Sequence, residues 1–230
     1  MRLSNSRFPK RIKLKTSAKQ AKCPDAPIVI IEDDALFRRS IVRVLEEHGY
    51  EPNAYESFDQ LEDVAAIPQE GCVILDLNLS GTSGLEIQRK LKAIAPSLSI
   101  IFLTAFGRVD VSVRAMKRGA VDFLEKPVES EVLFRTVDRA ITRSRTLNRE
   151  RLELAELRRR FERLSDRERE VFAWVTSGLL NKQAAAELKI SEKTVKFHRA
   201  HIMKKMEVGS LAELAKMAAR LGLNDKMLSQ

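Results

Sequence analysis

Three carboxylates, a hydroxyl and an amine stand at the ends of apolar runs in the first half of the sequence. Cys72-Val73-Ile74-Leu75 runs without interruption into Asp76, and Ile28-Val29-Ile30-Ile31 runs into Glu32-Asp33-Asp34. Ser99 to Thr104 closes on a hydroxyl, and Val121 to Leu124 is followed by Lys126-Pro127. Apolar runs without polar alternation suit strands buried on both faces, as in parallel sheets. Open α/β sheets gather their ligands at the carboxyl ends of such strands. A carboxylate buried there is costly unless a metal, a lysine or a covalent modification stabilises it. Glu32, Asp33 and Asp76 brought together would repel and raise one another's pKa values. A hard divalent cation relieves this, and Mg2+, bound by one or two carboxylates, waters and a phosphoryl oxygen, is the natural choice. Lys126 and Thr104, opposite, are suited to the other oxygens of a phosphoryl group.

The elements needed to position these groups are present in the right order. Leu36, Ile41, Val44 and Leu45 recur at helical spacing over 35–48, and Gly49 ends that helix. A weak strand follows near 50–55, then a helix near 57–66 and the Asp76 strand. Ser83-Gly84-Leu85-Glu86 has the form of a capping box opening a helix to Ala95. After the Ser99–Thr104 strand come a helix near 109–118 stopped by Gly119, a short strand over 121–124 and a helix from Glu129. Strands alternating with helices over short connections predict an α/β, flavodoxin-like, doubly wound parallel sheet.

On Glu32-Asp33, Asp76, Thr104-Ala105, Phe123 and Lys126-Pro127, residues 27–143 resemble the receiver domain of bacterial two-component response regulators. The resemblance implies that Asp76 is the phosphoacceptor for a sensor histidine kinase. It also implies that Glu32, Asp33, Asp76 and the Asn78 main-chain carbonyl hold Mg2+, that Lys126 contacts the phosphoryl group, and that Thr104 and Phe123 form a switch pair. Leu79-Ser80 departs from the pattern, since many members have an apolar residue then proline; the departure is expected to touch no ligand. Asn78 stands where phosphatases of the dehalogenase type carry an acid/base aspartate. An amide cannot serve that role, so the acyl phosphate should persist as a signal. The chain is therefore not expected to be an enzyme in the turnover sense.

Residues 129–164 continue as helix with no Gly or Pro. Leu147, Leu154, Leu157, Phe161 and Leu164 fall on alternate a and d positions of a heptad, with a polar exception at 150. Two readings of a linker over 144–163 stand: a signalling helix forming a short parallel coiled coil, or a single solvated helix.

From 164 to 225 the pattern changes to short capped helices. Ser165-Asp166-Arg167-Glu168 and Ser210-Leu211-Ala212-Glu213 are capping boxes, Gly178 closes the first helix, Asn181 is read as the cap of a second to Leu188, and Ser191 caps a third to Met206. A short helix, a tight turn at Lys189-Ile190-Ser191 and a longer basic helix have helix-turn-helix spacing. Val195, His198, Ile202 and Met206 form the inner stripe of the third helix. Lys193, Lys196, Phe197, Ala200 and Lys204 form the outer one, where cations beside small and apolar groups suit phosphates, base edges and thymine methyls. On Leu164 to Val171, Gly178, Asn181-Lys182 and Ile190 to His198, this part resembles the LuxR-type DNA-binding domain. That resemblance implies base contacts by Lys196, Phe197 and Ala200, and phosphate contacts by Lys182, Thr194 and Lys204. It also implies a dimerisation face of Leu211, Leu214, Ala215 and Ala218, with core packing as the alternative use of that face.

Charge separates the same parts. Residues 1–26 hold 8 basic and 1 acidic side chains, residues 27–144 hold 14 and 19, and residues 145–230 hold 19 and 12. A basic C-terminal part suits nucleic acid; residues 1–26 are expected to be a disordered basic tail. No run approaches the ~18 apolar residues of a membrane span, no apolar signal core opens the chain, and two cysteines without metal-site spacing fit a reducing cytosol. The expected partners are a sensor histidine kinase, double-stranded promoter DNA, RNA polymerase and a second copy of the chain upon phosphorylation. Two other readings compete: a DNA binder whose first domain serves only protein contacts, and a metal-dependent phosphatase, against which Asn78 argues.

Overall fold

A computed structural model describes residues 26–64, 67–105 and 109–223. Residues 1–25, with Cys23 and most of the expected tail, lie outside the described residues, as do residues 224–230.

The first half alternates β1 Ile28–Ile31, α1 Ala35–Glu46, β2 Pro52–Tyr55, α2 Phe58–Val64, β3 Cys72–Asp76, α3 Gly84–Ile94, β4 Ser99–Thr104, α4 Val109–Lys117 and β5 Asp122–Glu125. The five strands are all parallel, in the order β2-β1-β3-β4-β5. β5 begins one residue later than the sequence pattern indicates; Val121 leads into it, its N–H donating to Ile100 O of β4 at 2.8 Å.

The apolar runs are explained by burial on both sides. Alternate residues Ile28, Ile30, Cys72, Ile74, Ile101 and Leu103 face one core, with Ile41 and Leu45 of α1 and Val137 and Ile141 of the last long helix. Their neighbours Val29, Ile31, Val73, Leu75, Ile100 and Phe102 face a second core with Leu61, Ile87, Leu91 and Ala115. Asp34 caps α1, accepting from Leu36 N at 2.8 Å and Phe37 N at 3.0 Å. The cap box expected at Ser83 does not form: its side chain makes no cap bond. Ser83 instead pairs with Asn78 in an isolated antiparallel bridge, and Gly84 N donates to Leu77 O at 3.0 Å. A Cβ at Gly84 would lie 2.6 Å from Asp76 O, so the α3 entry passes the end of β3 at a distance that only glycine permits.

α5 Ser130–Glu162 is one helix of 33 residues, about 50 Å long at 1.5 Å per residue. Its first half lies on the sheet. Ser144 Oγ accepts from Gly71 N at 2.8 Å and donates to Ser97 O at 2.7 Å, and Asn148 donates to Glu70 at 2.8 Å. Its last turns belong to another core.

That core joins Leu157 and Leu164 to α6 Asp166–Thr176, α7 Asn181–Glu187, α8 Glu192–Met206 and α9 Leu211–Leu221. Phe161 packs edge-on against Phe172, ring centroids 5.1 Å apart. The linker is a single continuous helix, as one of the two readings has it, but its last turns are packed rather than solvated. The half of the heptad stripe at Leu157, Phe161 and Leu164 is folded into its own chain, because the short helices α6–α9 need a further apolar face to close their core. On α9 this chain makes the core-packing use of the face, the alternative to dimerisation. Leu214 and Ala218 are fully buried in this core, with Leu211 packed against it and Ala215 half-buried. Arg220 of α9 pairs with Glu153 of α5 at 3.0 Å, and Arg160 of α5 with Glu207 at 2.9 Å.

The capping box at Ser165 does form, with Ser165 N donating to Glu168 at 2.8 Å. Burial disfavours a charged Glu168, but Lys205, at 2.6 Å, and the Ser165 bonds outweigh that and hold its pKa below the ordinary value. Asn181 is not a cap but the first residue of α7; Gln183 Oε1 accepts from Leu180 N instead, and Asn181 Oδ1 accepts from Arg199 of α8.

Leu157→Ala is expected to destabilise the C-terminal unit by about 2–4 kcal/mol, the range for truncating a buried leucine. Urea unfolding followed through Trp174, the one tryptophan, measures it; a change below about 0.5 kcal/mol, typical of surface sites, would show that α5 is not part of that core.

Candidate functional site: a carboxylate–lysine cluster and a basic recognition helix

The order β2-β1-β3 places the topological switch point between β1 and β3. Glu32 and Asp33 follow β1, Asp76 ends β3, and one carboxylate oxygen from each lies within 4.8 Å of the others. Lys126, one residue beyond β5, reaches across the strand ends. Its Nζ is 2.6 Å from Glu32 Oε2 and 2.8 Å from Asp76 Oδ2. The other Asp76 oxygen, Oδ1, accepts from Asn78 N at 3.0 Å.

The electrostatics follow from burial. Desolvation pushes the Glu32 carboxyl up to about 7, the nearby Asp76 charge adds to this, and the bond to Lys126 only partly offsets it. Burial opposes the charge on Lys126, yet its bonds to Asp76 and Glu32 together hold its pKa above the ordinary lysine value. Asp33 is held below the usual carboxylate range, chiefly by the Ser80 hydroxyl. With Glu32 deprotonated, three carboxylates face one ammonium, a local deficit of two positive charges. An all-oxygen donor set with that deficit fits a divalent hard cation.

The structure brings Glu32, Asp33, Asp76 and Lys126 together as the sequence implies. Thr104 is fully buried at the end of β4, and its carbonyl accepts from Lys126 N at 2.7 Å. Phe123 on β5 is half-buried, its ring tilted against Phe102 with centroids 6.1 Å apart. Asn78 is exposed on the loop after β3.

Three neighbours escaped sequence reasoning. Arg38 donates to the carbonyls of Glu32 and Asp33, fixing the acidic turn from behind. The Phe37 ring lies 4.3 Å from Lys126 Nζ, within cation–π range. Both follow the Asp34 cap by one helical turn, which is the signal that could have found them. Ser80, expected to touch no ligand, donates through its N–H (2.9 Å) and hydroxyl (2.5 Å) to Asp33 Oδ2, which corrects that expectation.

In the second unit, α7 and α8 meet at a turn whose Lys189 has φ +55°. Ile190 N bonds Ala185 O at 3.0 Å, and Ser191 caps α8 through Thr194 N at 3.0 Å. Val195, Ile202 and Met206 are buried and His198 is half-buried, so the inner stripe is as the sequence indicates. Lys193, Lys196, Phe197, Ala200 and Lys204 are exposed along the opposite face, and Lys182 is exposed on α7. Phe197 is 58% exposed, with the His201 ring 4.2 Å away. Lys196 pairs with Glu192 at 3.0 Å. Thr194 is half-buried, its hydroxyl engaged with Ser191 Oγ at 2.7 Å.

Comparison with known proteins agrees with both units. Residues 28–138 match the response regulator receiver domain, and residues 162–218 match the bacterial regulatory proteins of the luxR family. Nodulation protein W of Bradyrhizobium diazoefficiens is 40% identical over 199 residues, 86% of this chain and 88% of that protein. The transcriptional regulatory protein FixJ of Azorhizobium caulinodans is 36% identical, over 86% of this chain and 93% of its own. Among solved structures, the response regulator StyR superposes with a TM-score of 0.73 at 35% identity, covering 85% of this chain and 99% of that one. The chain belongs to the response regulators that join a receiver domain to a luxR-family DNA-binding domain, and so is a phosphorylation-dependent DNA-binding regulator of transcription. The names of these relatives point to a regulatory rather than an enzymatic role. Among the described residues, no helix is long and apolar enough to cross a membrane.

Glu32 generates a pH dependence. Its folded pKa stands at about 7 against an ordinary 4.5, so the folded chain keeps a proton that the unfolded chain releases. Its contribution to stability is therefore most favourable below pH 4.5 and is lost as pH rises through about 7. Thermal unfolding in chelator should show a shallower decline across that window for Glu32→Gln than for the native chain; parallel profiles would contradict the assignment.

Proposed function

We propose that Asp76 accepts a phosphoryl group from the phosphohistidine of a sensor kinase, and that this modification controls how α8 meets promoter DNA. The observation that carries the reading is Lys126 Nζ held between Asp76 and Glu32 at 2.8 and 2.6 Å, beside the oxygen cluster completed by Asp33. Asp76 is the carboxylate placed for attack, since it lies at the β3 end at the centre of the group. An Asp76 oxygen bonds to phosphorus in line with the departing N–P bond; the imidazole leaves with that electron pair and takes up a proton. Glu32, Asp33, Asp76 and the Asn78 carbonyl would hold Mg2+, which when bound neutralises the equatorial phosphoryl oxygens. Lys126 exchanges its bond to Asp76 for one to a phosphoryl oxygen. Asn78 offers no acid or base to activate water, so the acyl phosphate outlasts its formation and the chain acts as an acceptor rather than an enzyme.

The new group adds roughly two negative charges beside Thr104 and Phe123. The Thr104 hydroxyl turning toward it vacates space that the Phe123 ring can fill, which biases a two-state element. The domains serving these steps are the receiver over 27–143 and the DNA-binding unit over 164–225, with the 144–163 segment carried in α5. Phosphorylation favours a homodimer that sets two copies of α8 on an inverted repeat. Because Leu214 and Ala218 are consumed by the core, any contact through α9 uses its outer side. Lys196, Phe197 and Ala200 read base edges; Lys182, Lys193, Thr194 and Lys204 serve phosphates. In this reading the protein acts in the cytoplasm and meets RNA polymerase at the promoter; activation and repression use the same DNA contacts.

Asp76→Asn should abolish uptake of label from a phosphorylated kinase or acetyl phosphate while the thermal unfolding profile stays cooperative. Retained labelling in that variant would overturn the assignment of the acceptor. Lys196→Ala should weaken specific DNA binding by about 1–3 kcal/mol, as for loss of a base contact. An equal loss on random DNA would make Lys196 a phosphate contact.

A further inference from the structure

Ser80 occupies the position where many receiver domains carry proline. Here it provides two donors that proline lacks. Its N–H and its hydroxyl converge on one atom, Asp33 Oδ2, at 2.9 and 2.5 Å. The two partners sit on different loops: Asp33 follows β1 and Ser80 follows β3. The β3–α3 loop is closed at its base by the Asn78–Ser83 bridge and by Gly84 N to Leu77 O at 3.0 Å. Ser80 thus stands near the tip of a short closed loop. On the other side of Asp33, Arg38 holds the carbonyls of Glu32 and Asp33. The main chain of the acidic turn is fixed from α1, and the Asp33 side chain is fixed from the Asn78 loop.

We propose that Ser80 is a positioning residue for the cation site: it fastens Asp33 to the loop that presents the Asn78 carbonyl, so that two ligands from separate loops are set in one arrangement before a cation arrives. The proposal rests on the reading of Asp33 and Asn78 as cation ligands. Two donors occupy the lone pairs of Oδ2, so Asp33 meets the cation through its other oxygen only. Partners that orient metal ligands in this way commonly change metal affinity ~10–100-fold when lost. Ser80 is exposed to solvent, which puts the effect at the lower end.

The test is Mg2+ titration by calorimetry on the full-length native protein and on Ser80→Thr, Ser80→Ala, Ser80→Pro and Asp33→Asn. Ser80→Thr keeps both donors and should bind Mg2+ within about twofold of the native chain. Ser80→Ala, which keeps the N–H, should bind several-fold more weakly. Ser80→Pro, which has neither donor, should bind about tenfold more weakly. Native affinity in Ser80→Ala and Ser80→Pro, with binding still lost in Asp33→Asn, would overturn the role of Ser80 while leaving the cation site standing. No Mg2+ binding by the native chain, or full binding by Asp33→Asn, would instead overturn the site itself. Unfolding temperatures in chelator separate folding from positioning: a variant that loses thermal stability but keeps its Mg2+ affinity would make Ser80 a structural tie only.

Discussion

The ammonium of Lys126 between Asp76 and Glu32 is the interaction on which the rest of the receiver depends. Without it, three carboxylates would crowd the ends of two adjacent buried strands with nothing to balance them. With it, the cluster is still short of positive charge, and Glu32, whose pKa is raised chiefly by burial and further by the Asp76 charge, is left only partly compensated. The site is therefore poised rather than satisfied. A divalent cation and a phosphoryl group would bring complementary charges, each lowering the cost of the other's arrival.

The surroundings hold this poise mechanically. Asp34 caps α1, and the helix so started carries Phe37 and Arg38 back over the acidic turn. Gly84 lets α3 begin directly against the end of β3, which leaves the Asn78 loop short and closed. Side chains that touch no reacting atom thus decide where the reacting carboxylates lie, and most of them sit one helical turn or one short loop away.

α5 changes how the two units must be regarded. A helix that lies on the sheet at Val137, Ile141 and Ser144 and enters the other core at Leu157 belongs to both. Displacement of its first half by the receiver cannot be absorbed by a flexible joint, because there is neither Gly nor Pro between the two attachments. The bonds from Glu153 and Arg160 to Arg220 and Glu207 add polar ties at the same seam. Transmission from Asp76 to α8 therefore has a continuous backbone path along α5, although the coupling itself is a matter of energy and not of connectivity.

The amino-acid sequence alone determined the alternation of strands and helices, the polar residues at the strand ends and the basic outer stripe of α8. These are local properties, since apolar runs, caps and helical spacing are written in neighbouring residues. What only the tertiary structure decided are the questions of which partner an apolar or polar group finds across space. The heptad stripe at Leu157, Phe161 and Leu164 and the α9 face at Leu214 and Ala218 each allowed two readings, a surface for a second chain among them. They are buried within this one, because periodicity reports that a face is apolar and not what covers it. Ser80 and Asp33 lie 47 positions apart, and no spacing rule joins them. Their contact exists because parallel strands bring the loops after β1 and β3 side by side.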